Sequence, residues 1–334
     1  MFNLKKTASP VAIRTNRHTD KALTNILLAY NQSDNAFIAD KVFRPVGVSK
    51  STDFYYEIPL GEMNRIHMAK RARGAAPTIA GFDYNKVPFL LEIYALMTGL
   101  TDEDDVDMDE LLDWNMDATH FLWLQAKLRR ERSFNDGFFK PGVWQHNYAG
   151  VGTAPAAGQF RRWSDDASTP IKDVKKARKD VLRRTGILLN TMTIDWDTKD
   201  VLLEHPEIVD RVDHGQTSGP AKVTMDHLKS LFEVDEIHVG FAVENSANEG
   251  AAEISNDFIM NNGCLLTHTP PRPGKRVAAS GYNFTWKVYS EAGMRMRKHR
   301  ANLELTDFKI IDDAYAQKLV SAELGVFFNA TGTL

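Results

Sequence analysis

Cys264 is the only thiol in the 334 residues, which excludes an intrachain disulfide and any cysteine-based zinc site. Long apolar runs are missing as well. None approaches the roughly 18 to 20 residues needed to cross a membrane, so no membrane partner is expected. The opening Met1-Phe2-Asn3-Leu4-Lys5-Lys6 lacks the apolar core of a signal peptide, which predicts a protein made and kept in cytosol-like conditions. Catalytic signatures are lacking too. The 10 histidines form no His-Glu-x-x-His or His-x-His, and Asp213-His214-Gly215 has no serine in a Gly-x-Ser-x-Gly elbow to serve. The glycines build neither a P-loop nor a Gly-x-Gly-x-x-Gly turn. The expectation is a protein that is not an enzyme, with no catalytic, cofactor-binding or metal residues. Excess charge of one sign is also missing: 41 cations against 44 acids leave a net charge of -3, so any pull on nucleic acid has to be local.

What is present is a folding chain. At 43% apolar residues it can bury one large core or two ordinary ones. Residues 1 to 20 are polar and basic, and Lys21 to Tyr30 places Ala22, Leu23, Ile26, Leu27 and Tyr30 at helical spacing, a loose arm with one short helix. From Phe37 to Ile58 the pattern turns to strand. Residues 59 to 86, with Lys70, Arg71 and Arg73 among Gly and Pro, hold too few apolar residues for a core element and read as a projecting loop. Lys86 to Met97 then alternates through Val87, Phe89, Leu91, Ile93 and Ala95 as the strand returning from it. A two-stranded arm of this kind is marginal in water and wants a partner to lie on.

Thr101 opens an acidic run through Asp102, Glu103, Asp104, Asp105, Asp107, Asp109 and Glu110, and the apolar period that follows ends in Lys127, Arg129, Arg130 and Arg132. Acid first and base last is the order the helix dipole favours, which predicts one long helix from Thr101 to Arg132. The acidic run lacks the glycine of a calcium loop. Ala149 to Gly158 has a linker's composition, and Pro170 to Thr185 reads as a helix with Gly186 as its C-cap. Ile187 to Ile194, Ile237 to Val243 and Cys264 to His268 look like strands, Thr198 to Leu203 and Thr224 to Phe232 like helices, and Ala314 to Asn329 like one closing β-rich run. Two basic clusters stand out: Lys172, Lys175, Lys176, Arg178, Lys179, Arg183 and Arg184, then Arg295, Arg297, Lys298 and Arg300. Without interleaved aromatics a solvated or ion-paired face is the expected reading, with an acidic neighbour as a further option.

Several of these segments together resemble the major capsid proteins of tailed bacteriophages with the Hong Kong 97-type capsid fold, shared with encapsulins. Phe37-Ile38-Ala39-Asp40-Lys41-Val42-Phe43, with Val46 and Tyr55-Tyr56, is similar to the entry into that family's extended loop. Arg129-Arg130-Glu131-Arg132 closes a helix placed like its spine helix. Trp163-Ser164-Asp165-Asp166, Thr169 to Val174, Arg184 to Asn190, Leu203, His205-Pro206 and Ile208 follow in order. Leu231 to Val234, Val239-Gly240, Pro270-Pro271 and Gly281-Tyr282-Asn283-Phe284-Thr285-Trp286 complete a likeness running from about Ala36 to Ala330.

The resemblance implies an α+β fold with an N-terminal arm (1–50), an E-loop hairpin (51–98), a P-domain with a long spine helix (99–164), a mixed α/β A-domain (165–300) and closing P-domain strands (301–334). It implies a coat protein that self-assembles as hexamers and pentamers into an icosahedral shell around phage double-stranded DNA, in the virion, after assembly in the host bacterial cytoplasm. An encapsulin-like nanocompartment shell is the alternative. Implied partners are further copies of the chain, a separate scaffolding protein, a portal protein, a decoration protein and non-specific contact with packaged DNA. Because family-like sequence begins within about 40 residues of Met1, a long fused scaffolding segment is not expected.

Overall fold

The computed structural model describes residues 32–57, 64–81, 83, 85–107, 113–213, 222–248, 250, 253, 255–274, 277–290 and 292–332. The expected helix at Lys21 to Tyr30 lies outside them. A short helix α1 (Ala39–Val42) leads into β1 (Pro45–Val48), β2 (Thr52–Glu57), β3 (Asn85–Leu90) and β4 (Glu92–Thr101). Then come α2 (Asp102–Asp107), the long α3 (Trp114–Phe138), β5 (His146–Val151) and β6 (Gln159–Arg161). Next are α4 (Pro170–Thr185), β7 (Thr191–Asp195), α5 (Trp196–Glu204), α6 (Pro206–Asp213), α7 (Met225–Phe232) and β8 (Glu236–Gly240). The chain continues through β9 (Val243–Asn245), β10 (Asn256–Phe258), β11 (Gly263–Thr267), β12 (Gly281–Trp286), β13 (Met294–Ala301), β14 (Thr306–Leu319) and β15 (Gly325–Asn329).

Two larger sheets organise these elements. In the five-stranded sheet β14 is central: it pairs with β12, β13 and β4, and β1 joins the far side of β12 in parallel. The six-stranded sheet runs β6-β5-β15-β11-β7-β8. On one of its faces Met192, Ile194, Leu266, Val326 and Phe328 pack with Val174 and Val181 of α4, Leu202 of α5, Ile208 of α6, and Leu228 and Phe232 of α7. On the other face Leu265 and Phe327 meet Phe43, Phe134, Phe139 and Trp144. Strand alternation sends neighbours such as Phe327 and Phe328 into opposite cores. Helix α3, about 37 Å long at 1.5 Å per residue, joins the sheets: Leu122 and Ala126 bury against Met294 and Ile311 of the first, and Phe134 against the second.

Several sequence expectations need correction. The helix expected from Thr101 to Arg132 is two helices. Thr101 does accept from the backbone N–H of Asp104, but it caps only α2; Asp113 caps α3, accepting from Met116 N at 3.1 Å. Residues 108 to 112 lie outside the described residues. Nor does α3 stop at the basic Arg132, because Phe134 and Phe138 bring one more apolar turn to the core. The closing run divides: β14 belongs to the five-stranded sheet, and after Leu319 the chain crosses to place β15 between β5 and β11. The strand expected over Lys86 to Met97 breaks at Leu91, where pairing passes from β2 to β14, so Phe89 and Leu91 are buried and Ile93 is exposed. Part of the expected linker is β5, and its glycine has a reason: a Cβ on Gly150 would lie 2.3 Å from the carbonyl oxygen of Ala330. Helix α4 matches its expected span, ending on Gly186 in the left-handed region at φ 74.

The two larger sheets draw on segments far apart in the sequence. Strands β5 and β6, inside 99–164, and β15, inside 301–334, join the six-stranded sheet, while β12 and β13, inside 165–300, join the five-stranded one. Pairing between segments more than a hundred residues apart, such as β1 with β12, decides membership, and local sequence carries no trace of it.

Candidate assembly surfaces

The hairpin β2/β3 is anchored at its base and bare at its tip. Register runs from Thr52↔Leu90 to Glu57↔Asn85. At the base the Phe89 ring stacks on Phe284 at 4.5 Å, and the Tyr55 hydroxyl donates to Leu319 O at 3.1 Å. Residues 64–81 are exposed throughout, with Ile66, Met68 and Ile79 at 91%, 94% and 97% of full exposure. Three apolar side chains left in water on a loop with little secondary structure are the mark of a contact surface. Arg65, Lys70, Arg71 and Arg73 of the same loop make no ion pair among the described residues. Among the described residues the loop is tied to the body by Asn64 Nδ2 donating to Arg184 O at 3.4 Å.

The two basic clusters separate by environment. Arg295 and Arg297 both bind Asp312, at 2.8 and 2.6 Å, and Arg300 bridges Asp102 and Asp307. The three arginines of this cluster are paired inside the subunit by acids of β14 and α2, as on an ion-paired face. On α4, Arg178 is buried and donates to Leu189 O, Phe232 O and Glu233, and Lys175 also pairs with Glu233. Lys172, Lys176, Lys179 and Arg183 occupy the opposite, exposed side of that helix.

The segment from Gln32 to Val48 straps α3 to both sheets, largely through polar contacts. Lys127 binds Asp34 at 2.6 Å. Arg130 donates to Asp313 through Nε at 2.8 Å and Nη2 at 2.6 Å, to Asp40 through Nη1 at 2.8 Å and to Ala292 O. Burial alone would lower the Arg130 pKa, but the Asp313 and Asp40 carboxylates outweigh it and hold the guanidinium charged. Glu131 Oε2 accepts from Ile38 N at 3.0 Å and Ala39 N at 2.9 Å. These groups were legible only as part of a basic helix end. A better signal existed: Leu122, Ala126 and Arg130 recur every four residues, which puts Arg130 on the buried face.

Burial pushes the Glu131 carboxyl up to about 7 from its ordinary 4.5, with the two N–H donors opposing only in part. A carboxyl whose native pKa is raised binds its proton more tightly in the folded state. Its contribution is therefore fully present below pH 4.5 and is lost as pH rises through 7. Glu131→Gln is expected to flatten this fall, gaining on the parent between pH 5 and 8. Urea melts of the unassembled subunit at several pH values across that window check it; a parent–variant difference independent of pH contradicts it.

Among the described residues, Ser168 and His205, 2.8 Å apart, come nearest to a nucleophile–base pair. His205 Nδ1 accepts from Glu207 N, which leaves the imidazole proton on Nε2, donated to Ser168. The imidazole is thus turned the wrong way to take the serine proton. No group of three or more His, Cys, Asp or Glu able to hold a metal occurs among the described residues.

No protein-family model matches the chain. It is 24% identical over 230 residues to the major capsid protein of Burkholderia phage BcepMu, covering 68% of this chain and 70% of the relative. To the major capsid protein of Pseudomonas phage JBD67 it is 26% identical over 235 residues, covering 69% and 71%. Among solved structures, a phage-related protein of Bordetella bronchiseptica superposes with TM-score 0.69 at 20% identity, over 96% of this chain and 99% of the other. The capsid of cyanophage P-SCSP1u gives TM-score 0.55 at 10% identity, over 91% and 90%. The fold is that of phage capsid subunits, as the resemblance implied.

Proposed function

We propose that this chain, which has the Hong Kong 97-type capsid fold, is the major capsid protein of a tailed bacteriophage, building an icosahedral shell from hexamers and pentamers around double-stranded DNA. The observation that carries this reading is the projecting loop 64–81, whose apolar and cationic side chains are exposed and covered by none of the described residues. In a shell such a loop lies on a neighbour. Several weak contacts per subunit then add up by multivalency, and closed symmetry leaves few edges bare.

On this reading 1–50 is the N-terminal arm and 51–98 the E-loop. The five-stranded sheet with α3 forms the body of the P-domain, and the six-stranded sheet with α4 to α7 that of the A-domain. A separate scaffolding protein and a portal complete the particle, which assembles in the host cytoplasm. Lys70, Arg71 and Arg73 then sit over acidic groups of an adjacent subunit.

The test is to replace 64–81 by a short Gly-Ser bridge in the full chain. The expected result is a subunit whose stability stays within about 1 kcal/mol of the parent, since the tip buries almost nothing, but which forms no shells by size exclusion and electron microscopy. Shells in the parent's yield contradict the reading.

A further inference from the structure

Ion pairs within the described part of the subunit hold much of its clustered charge and, besides the cations of loop 64–81, leave two sets over. One is the stripe Lys172, Lys176, Lys179 and Arg183 on α4. Spacings of four, three and four keep these residues on one face, over about 16 Å at 1.5 Å per residue. They lie opposite the buried Ile171, Val174 and Val181, and none has an acidic partner among the described residues. The other set is Glu103, Asp105 and Asp107 on α2, all exposed and unpaired among the described residues, whereas Asp102 is held by Arg300.

We propose that the basic stripe of α4 docks on the acidic α2 of a second copy of this chain. The proposal rests on the coat-protein reading and names a contact within the shell. Within one subunit the two sets are not joined: α4 covers the six-stranded sheet, and α2 follows β4 at the end of the five-stranded one. No ion pair among the described residues links them. Their signs are opposite, and each subunit brings one of each, so every copy can satisfy the next. A nucleic acid lying on the stripe would leave the acids of α2 unmet. With a net charge of -3 the chain needs no outside polyanion to balance its cations. The contact is heterologous, one patch to a different one, and so suits a ring that closes.

The test is sedimentation velocity of the full chain at about 50 and about 500 mM salt, because exposed charge contacts weaken as the Debye length shortens. The variants are K172E/K176E/K179E, E103K/D105K/D107K and their combination, with far-UV circular dichroism as the check on folding. Glutamine versions of the same positions repeat the comparison without introducing new repulsion. The parent is expected to assemble, more weakly at high salt. Each triple reversal should need at least ~10-fold more protein, and the combination should return to within ~3-fold of the parent, as complementary charges rejoin. The proposal is overturned if the α4 reversal assembles at the parent's concentration, or if the combination recovers nothing over the single triples. It is equally overturned if the α4 reversal builds normal shells that no longer hold DNA, which assigns the stripe to nucleic acid. A parent that stays monomeric at both salts, alone and again with its scaffolding protein, overturns the coat-protein reading as well.

Discussion

Arg130→Ala is expected to lower the unfolding free energy of the subunit by about 3 to 5 kcal/mol, the range for breaking a buried ion pair from one side. Arg130 and Asp313 are 3% exposed each, so the substitution leaves a carboxylate in the core with neither water nor a cation to meet it. The lost guanidinium also held Asp40 and Ala292 O, and through them the strap and the turn before β13. Most of the cost is the stranded charge and not the value of the pair, so Arg130→Met with Asp313→Leu should recover a large part of it. Urea melts of the unassembled subunit measure both. A single variant within about 1 kcal/mol of the parent means that the site relaxes or admits water.

Phe328→Ala is expected to cost a similar 3 to 5 kcal/mol, the usual range for truncating a fully buried aromatic. The ring stacks on Tyr148 at 5.1 Å and meets Phe160 and Trp163 at 5.2 and 5.3 Å, joining β5, β6 and the loop before α4. Its strand β15 lies between β5 and β11, so the loss falls in the middle of the six-stranded sheet. The same melts decide it. A cost below about 1 kcal/mol would require the neighbouring rings to close the cavity.

What the sequence could and could not disclose follows from how each feature is encoded. Helix α4 was readable in full because its Pro start, its Gly stop and its apolar face at Ile171, Val174 and Val181 are all local. The projecting loop was readable from a shortage of apolar residues. The break between α2 and α3 was hidden because acidic residues and Thr101 satisfy the rules for a helix start whether the helix runs two turns or eight, and Asp113 is a second cap beyond it. The sheets were unreadable because β15 and β14, separated by only a few residues, enter different ones. The candidate surfaces divide in the same way. Residue types gave the basic clusters, but only packing separates Arg178, buried on three acceptors, from Lys176 in open water. Arg130 and Glu131 looked like a charged helix end, and the burial of their face is what makes them a structural node.

The most direct test of the central claim is negative-stain electron microscopy with size exclusion on the full chain, expressed alone and again with the scaffolding gene of its own phage. Closed shells, capsomer rings or tubes in either preparation are the predicted result. A uniform monomer or dimer in both contradicts the account.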